Sequence, residues 1–423
     1  MARFREILKN KNFLLLWLGQ VISNFGDRLN QMALVALVYQ KSPGSEIALA
    51  KLISFTIIPV FIICPIAGAW VDRLNRRNIM VISDVLRGAL VLTIPLFIMA
   101  RQILPVYLVI FLVFSISRFF IPSKMAMIPD IVPKDKLLVA NTLQDTTHMI
   151  GNVVGLVVAG VIVNLKGVGA IGGFYIDSAS FFVSAFLIAM IAYGAAERHR
   201  VKEDIAVTGT AIKDSLRRSI FSEIKEGLKY LTRYTNMRFI ICVFFLLMAG
   251  IGAVSCVIIV FVQDAFASAT RDLGLLGMFL VGGLFCGTLI YGRFGQKVPK
   301  RMAIYLSFMA TGLSVSAFTF FVGRYPDMLS ASVLALLVGL AASPIMASTN
   351  TMTHETIPQE VRGRIFSSLE AVIHLAFILF MFAAAYGAKM IGRFWVLMAA
   401  GMIFSEGGAA GLLLDKKRSS TCP

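Results

Sequence analysis

Apolar runs of about 20 residues or more, each parted from the next by a short polar turn, recur along the whole chain. They fall at 13–39, 46–71, 78–100, 104–126, 140–165 and 170–193, and again at 238–263, 273–295, 302–322, 328–352, 365–388 and 393–414. At 1.5 Å of rise per residue, each run spans a hydrocarbon layer of about 30 Å as a helix. Inside lipid no water is available to backbone N–H and C=O groups, so helices satisfy them within one segment where open strands cannot. The pattern therefore predicts an all-α membrane protein with twelve transmembrane helices. One long polar stretch, 195–237, divides them six from six, giving an N-terminal bundle over 1–194 and a C-terminal bundle over 238–423. Within that stretch Ile212, Leu216, Ile220, Ile224, Leu228 and Leu231 recur at helical spacing, opposite Lys213, Arg217, Arg218, Lys225 and Arg233. This reads as an amphipathic helix on the inner membrane face or as a solvated linker helix.

Composition agrees. Of 423 residues 58% are hydrophobic and 15% charged, with mean hydropathy +0.81, more apolar surface than a soluble domain of this length can hide. The formal charge of +17 would fit a nucleic-acid partner, but the basic residues gather in alternate loops. Arg3, Arg5, Lys9, Lys11, Lys134, Lys136, Lys297, Lys300, Arg301 and Lys416 fall on one side, and isolated charges such as Lys41, Arg101, Lys166 and Arg324 on the other. The positive-inside rule then places both termini in the cytoplasm, with the protein multi-pass in the cell membrane. The basic N-terminus lacks a small-residue cleavage site and leads into a run that contains Asp27, so it is read as a retained first span. Five cysteines show no paired spacing, and we expect neither disulfide nor metal site. No Gly-x-x-x-x-Gly-Lys-Ser/Thr loop is present, and His354-Glu355 has no second histidine at helical spacing. Nothing in the sequence asks for a cofactor, and no catalytic cluster identifies an enzyme.

An internal repeat supports the division. Pro133-Lys134-Asp135-Lys136 leads into the fifth run and Pro358-Gln359-Glu360-Val361 into the eleventh, at an offset of 225 that also brings Asp145 onto Glu370.

Charges inside spans are expensive and are candidates for function. Asp27 lies near the middle of the first span and is the leading candidate for carrying a proton, with Arg118 in the fourth span as its counter-charge; a static ion pair, or hydrogen bonds to Asn24 and Asn30, is the structural alternative. Asp84 and Arg87 share a face of the third helix and read as a structural brace. Asp145 with His148, and Glu370 with His374, form matching acid–imidazole sets that serve as relays or as structural hydrogen bonds. Asp177 and Glu406 rank below these. Gly151, Gly155 and Gly160 give the fifth helix a smooth packing stripe, as do Gly283 and Gly287 in the eighth. Phe25, Tyr39, Phe55, Phe119, Phe120, Phe244, Phe245 and Met248 would give a largely apolar cavity, suited to a lipophilic or amphipathic solute.

Between the second and third runs stands Gly68-Ala69-Trp70-Val71-Asp72-Arg73-Leu74-Asn75-Arg76-Arg77. This stretch resembles the loop motif of the major facilitator superfamily, with Asn75 where glycine is usual. The resemblance extends over nearly the whole chain. Asn24-Phe25-Gly26-Asp27, Pro133 through Ala140-Asn141, and Arg362-Gly363-Arg364-Ile365-Phe366-Ser367 look like the drug–proton antiporter group that contains macrolide-efflux and enterobactin-export proteins. It implies alternating access of two six-helix bundles, efflux coupled to protons, and a monomer whose partners are a small-molecule substrate, protons and membrane lipid. It also implies a latch in which Gly68, Asp72, Arg73, Arg76 and Arg77 meet Arg362 and Arg364 at the start of the eleventh helix. The Gly151/Gly155 stripe resembles the fifth-span antiporter motif, with Leu156 where proline is usual. A lysophospholipid or lipid flippase of the same fold is the alternative, and a non-transporting receptor or membrane enzyme a more distant one.

Overall fold

The computed structural model describes residues 6–71, 74–165, 167–192, 235–295, 298–356 and 362–421. Twelve long helices account for nearly all of them. They are α1 (Lys11–Lys41), α2 (Glu46–Val71), α3 (Arg76–Met99), α4 (Leu104–Ile131), α5 (Leu137–Asn164), α6 (Gly169–Ala189), α7 (Thr235–Phe266), α8 (Arg271–Phe294), α9 (Lys300–Arg324), α10 (Met328–Thr356), α11 (Arg362–Ile391) and α12 (Arg393–Thr421). Each expected span falls on one of them, with the runs at 78–100, 140–165, 170–193 and 273–295 extending past the helix end. The amphipathic stretch expected at 212–233 lies outside the described residues.

Eleven of the helices are long and apolar enough to cross a membrane. The exception is α1, whose apolar run is interrupted by Gln20, Asn24, Asp27, Arg28, Asn30 and Gln31, so this helix also carries candidate chemistry. Between 22% and 50% of each membrane-length window is buried inside the protein. The remainder turns outward with large side chains such as Leu96, Leu104, Leu138, Phe186 and Leu329. Such a surface is stable only against hydrocarbon.

The repeat is visible in the helix boundaries. Each helix of the second set begins 224 or 225 residues after its counterpart, from Lys11 and Thr235 for α1 and α7 to Gly169 and Arg393 for α6 and α12.

The chain forms two compact units. One holds α1 as far as Leu37 and the chain from Lys51 through α6; the other holds Val38–Ala50 and α7–α12.

In the first unit α6 packs between α1 and α3. Small residues make this possible: Gly19 faces Ser184, Gly173 faces Ala33 and the Leu29 carbonyl, and Gly88 lies under the Phe182 ring. The Ser178 hydroxyl donates to the Gly88 carbonyl at 2.8 Å. Below this layer Phe13, Leu16, Met80, Phe120, Met127 and Ile188 form an apolar core. Phe120, expected in a cavity lining, is enclosed here at 4% exposure.

The second unit relies on closer backbone approach. A side chain at Gly283 would run into the Leu336 carbonyl, and one at Gly339 into that of Leu280, so α8 and α10 meet main chain to main chain. Gly283 and Gly287 are thus packing positions, as the sequence reading has them. Phe244, another expected lining residue, is buried with Met237, Ile240, Leu369 and Ile373. The same unit contains a polar tie: Arg393 pairs with buried Glu46 and with Asp264, and donates to the Gly44 carbonyl at 2.8 Å.

Candidate functional site

The polar residues of α1, α3 and α6 converge inside the first unit. Gly26 makes the convergence possible, because a Cβ at that position would stand 2.5 Å from Asp177 Oδ1 and would overlap Ser180. One turn further along α1, Asn30 Nδ2 donates to Asp177 Oδ2 at 2.7 Å. Asp177 is therefore held against the same turn of α1 that carries Asp27, and the two carboxyls act on each other electrostatically. Their surroundings differ. Asp177 is fully enclosed, whereas Asp27 keeps part of its surface open although it lies deep in the helix packing.

Arg87 is the cation of this chamber. Its guanidinium pairs with Asp84 one turn earlier on α3 and lies between the rings of Phe120 and Phe181, at 4.5 and 4.4 Å from their centroids. Its field also reaches Asp27 and Asp177. Stacking on two rings leaves edge N–H groups free for carboxylates while the faces are packed. Arg28 also acts on Asp27, but its Nη1 donates to Gln31 at 2.7 Å and its stem packs against Gly155 of α5.

Arg118, the counter-charge expected for Asp27, stands elsewhere on α4. Residues two apart on a helix point about 200° apart. With Phe120 turned to Arg87, Arg118 is directed away, and its buried Nε has no hydrogen-bond partner among the described residues. The charges that reach Asp27 are those of Arg87 and Arg28.

Arg76 and Arg77 are both engaged at the end of the first unit that carries the α2–α3 turn. Arg76 pairs with Asp130 at 2.5 Å and donates to the Ala126 carbonyl at 3.2 Å, both on α4. Arg77 donates to the carbonyls of Ile188 and Ala189 at the C-terminal end of α6, where unpaired backbone acceptors favour a cation. Asn75 caps α3 by accepting from the Asn78 N–H at 3.1 Å. Asp72 and Arg73 lie outside the described residues. Gly68 is helical in α2, and Arg362 and Arg364 open α11, with their surroundings likewise undescribed.

Of the acid–imidazole sets, His148 is exposed on α5, within electrostatic range of Lys124, Arg28 and Asp145. On α11 the His374 ring is local, with Nδ1 2.8 Å from the Glu370 carbonyl and 3.6 Å from the Glu370 carboxylate. In the α5 stripe Gly155 and Gly160 are buried, Gly155 against Arg28, whereas a side chain at Gly151 would meet nothing within 4 Å. Glu406 shows no part in any of these groups.

Asp177, ranked low in the sequence reading, is the acid that lies against α1 at Gly26 and Asn30. Its position in a span carried little information by itself. The informative signal was the pairing of Gly19 and Gly26, seven apart on α1, with Ser184 and Ser180 on α6, which marks the line along which the two helices touch.

A family model described as the Major Facilitator Superfamily matches residues 16–381. Over 403 residues the chain is 23% identical to macrolide efflux protein A of Streptococcus pyogenes, covering 92% of this chain and 93% of that protein. It is 22% identical over 376 residues to the multidrug efflux pump Tap of Mycolicibacterium fortuitum, with 87% of each chain covered. Among solved structures, a bacterial homologue of the iron transporter ferroportin in an inward-facing state superposes with a TM-score of 0.70 at 15% identity, covering 96% of this chain and 99% of that one. A nucleoside transporter, NupG, also reaches 0.70 at 11% identity, over 95% and 99%. At such identities the structural likeness speaks for the fold alone.

Proposed function

This chain belongs to the major facilitator superfamily, and from that premise we propose that it exports a lipophilic or amphipathic small molecule by alternating access, driven by proton entry. It is a multi-pass membrane transporter with efflux pumps among its relatives. In this proposal it works as a monomer with both termini in the cytoplasm. The supporting observation is the chamber around Asp27. Three carboxyls, those of Asp27, Asp84 and Asp177, share the field of the Arg87 guanidinium, and Asp27, which keeps part of its surface open, also that of Arg28. Buried charges are tolerated when they are balanced, so an odd acid favours holding a proton there. Proton release at one stage of the cycle and uptake at another would then change the charge of α1. Arg118, half-buried on α4, is in this reading a separate cation available to an anionic group of the solute.

Everted membrane vesicles give the test. Efflux of erythromycin or ethidium should require an imposed pH gradient, and Asp27→Asn should reduce it to the level seen without a gradient while the protein still reaches the membrane. Equal gradient-driven efflux in wild type and variant would refute the assignment. Transfer of a labelled lysophospholipid in proteoliposomes, without efflux of either dye or macrolide, would favour the flippase alternative. We also propose the latch expected from the sequence, in which the acid Asp72 of the 68–77 stretch answers Arg362 and Arg364. Unchanged flux in Asp72→Asn would count against it.

A further inference from the structure

The chamber is confined to one half of a repeated fold, and this separates function from scaffolding. At an offset of 225, Asp27, Asp84, Arg87 and Asp177 correspond to Gly252, Met309, Gly312 and Met402. Shifting by one residue gives Ile251, Phe308, Thr311 and Gly401, again without an ionisable group. There the same helix junctions close by direct contact: on α7 Gly250 lies against the Phe404 ring of α12, and Gly312 of α9 against Gly401 and Ser405 of α12. The architecture is therefore built once without these charges, so packing alone does not call for them in the first unit.

Buried atoms of the chamber without a hydrogen-bond partner among the described residues include Asn30 Oδ1, Arg87 Nε and Asp84 Oδ2. Asn30 is 7% exposed, and while its amide N–H binds Asp177 its Oδ1 accepts from nothing among the described residues. Arg87 is 5% exposed, and its Nε–H likewise has no acceptor. A buried acceptor can take a hydrogen bond from a protonated carboxyl, and here three carboxyls stand beside two arginines. Every element packed around the pair contributes to its electrostatics. Arg28 comes from α1 itself, Asp84 and Arg87 from α3, and Ser180 from α6. Next to them stands a second set, Lys124 of α4 with Asp145 and His148 of α5, which reaches the chamber through Arg87 and Arg28.

We infer that Asp27 and Asp177 share one exchangeable proton, Asp27 forming the open end of the site and Asp177 its enclosed end, with Arg87 the counter-charge that meets the pair when the proton leaves. In the loaded state one carboxyl carries an O–H and the other an anion facing the guanidiniums. On unloading, that O–H bond breaks, the proton passes to water at Asp27, and the new carboxylate takes the free Nε–H of Arg87. No oxidant, metal or other reactant takes part. The inference deepens the proton-coupled reading and rests on it for the use of the proton in transport.

The test reads the proton itself. The full chain is purified into lipid nanodiscs, and the carboxylic C=O stretch is followed by infrared difference spectroscopy during a pH titration in H2O and D2O. The wild type should show one titrating band from a protonated carboxyl. Asp27→Asn and Asp177→Asn should each abolish it, because either remaining carboxyl is then matched by the arginines, and Asp177→Glu should restore it. Asn at 177 keeps an oxygen for the Asn30 bond, and elution volume with melting temperature reports whether each variant is folded. An unchanged band in folded Asp177→Asn, or no titrating band in the wild type, overturns the inference. The two proposals fail separately. Loss of the band in Asp177→Asn while wild-type efflux ignores the pH gradient leaves the proton site and removes its coupling. Gradient-driven efflux with an unchanged band does the reverse.

Discussion

Replacing Arg87 with methionine removes the cation of the first unit while keeping its bulk. Asp84 is fully buried and Arg87 exposes 6% of its side chain, so the variant leaves a carboxylate in a dry interior. Breaking a buried pair from one side costs about 3–5 kcal/mol. Two ring faces also lose a cation, a term of about 1–2 kcal/mol each when desolvated. Methionine recovers part of it, since sulfur on aromatic rings contributes about 0.3–1.5 kcal/mol. The net expectation is a loss of about 4 kcal/mol, and a fall of apparent melting temperature on the order of 10 °C. Pairing it with Asp84→Leu removes both charges, and stability should rise again. Recovery should stay incomplete, because the field of Arg87 also serves Asp27 and Asp177, which retain their mutual repulsion. Thermal unfolding in nanodiscs measures all three variants. If unfolding is irreversible, half-lives at one temperature replace midpoints. A single variant that melts with the wild type would refute the reasoning, as would a double variant no more stable than Arg87→Met.

Two further outcomes follow from the loops. Arg393→Ala should destabilise the second unit by about 3 kcal/mol, since Glu46 is 5% exposed and would lose its cation. Arg393→Lys should restore only part of this in the same melts, because one ammonium cannot hold Glu46, Asp264 and the Gly44 carbonyl in the geometry of a guanidinium fork. Asp327 caps α10, accepting from the Ser330 N–H at 2.9 Å, and that bond holds its carboxyl below the usual aspartate range. A depressed carboxylate stabilises the fold above its unfolded value and ceases to do so as pH falls through its folded value. Asp327→Ala should therefore melt earlier than wild type at neutral pH, and the gap should begin to narrow as pH drops below about 3.9 and close below the folded value.

Span number and spacing were legible in the sequence because hydrocarbon thickness admits few segment lengths. A single proline alignment was enough to give an offset that the helix boundaries reproduce. Asp27 and the Asp84–Arg87 brace were legible too, the first from its depth in a span and the second from three-residue spacing. What a linear pattern could not give was the rotation of each helix about its axis. It named Arg118 as the counter-charge of Asp27, and could not show that Phe120, two residues on, turns to Arg87 of α3. It ranked Asp177 low for the same reason, since only contact with Gly26 and Asn30 shows which way that side chain faces. The sequence also assigned Arg76 and Arg77 to the latch. The carbonyl ends of α4 and α6 engage them first, because exposed backbone acceptors attract the nearest arginines.

The asymmetry between the two halves bears on mechanism. A carrier that rocks two similar bundles needs an energy input that acts on one stage of its cycle and not another. A ligand shifts such an equilibrium only by its difference in affinity between the two states. A proton bound in a chamber shared by α1, α3 and α6 would supply that difference, because whether Asp177 and Asp27 repel depends on it and helix packing depends on whether they repel. The second unit, closed at the corresponding junctions by Gly250, Gly312 and Gly401, has no ionisable side chain at the positions that match Asp27, Asp84, Arg87 and Asp177. In this account the first half senses the gradient and the second is a rigid counterpart. Moving an acid into the second half, at Gly252 or Met402, would then add cost without adding coupling.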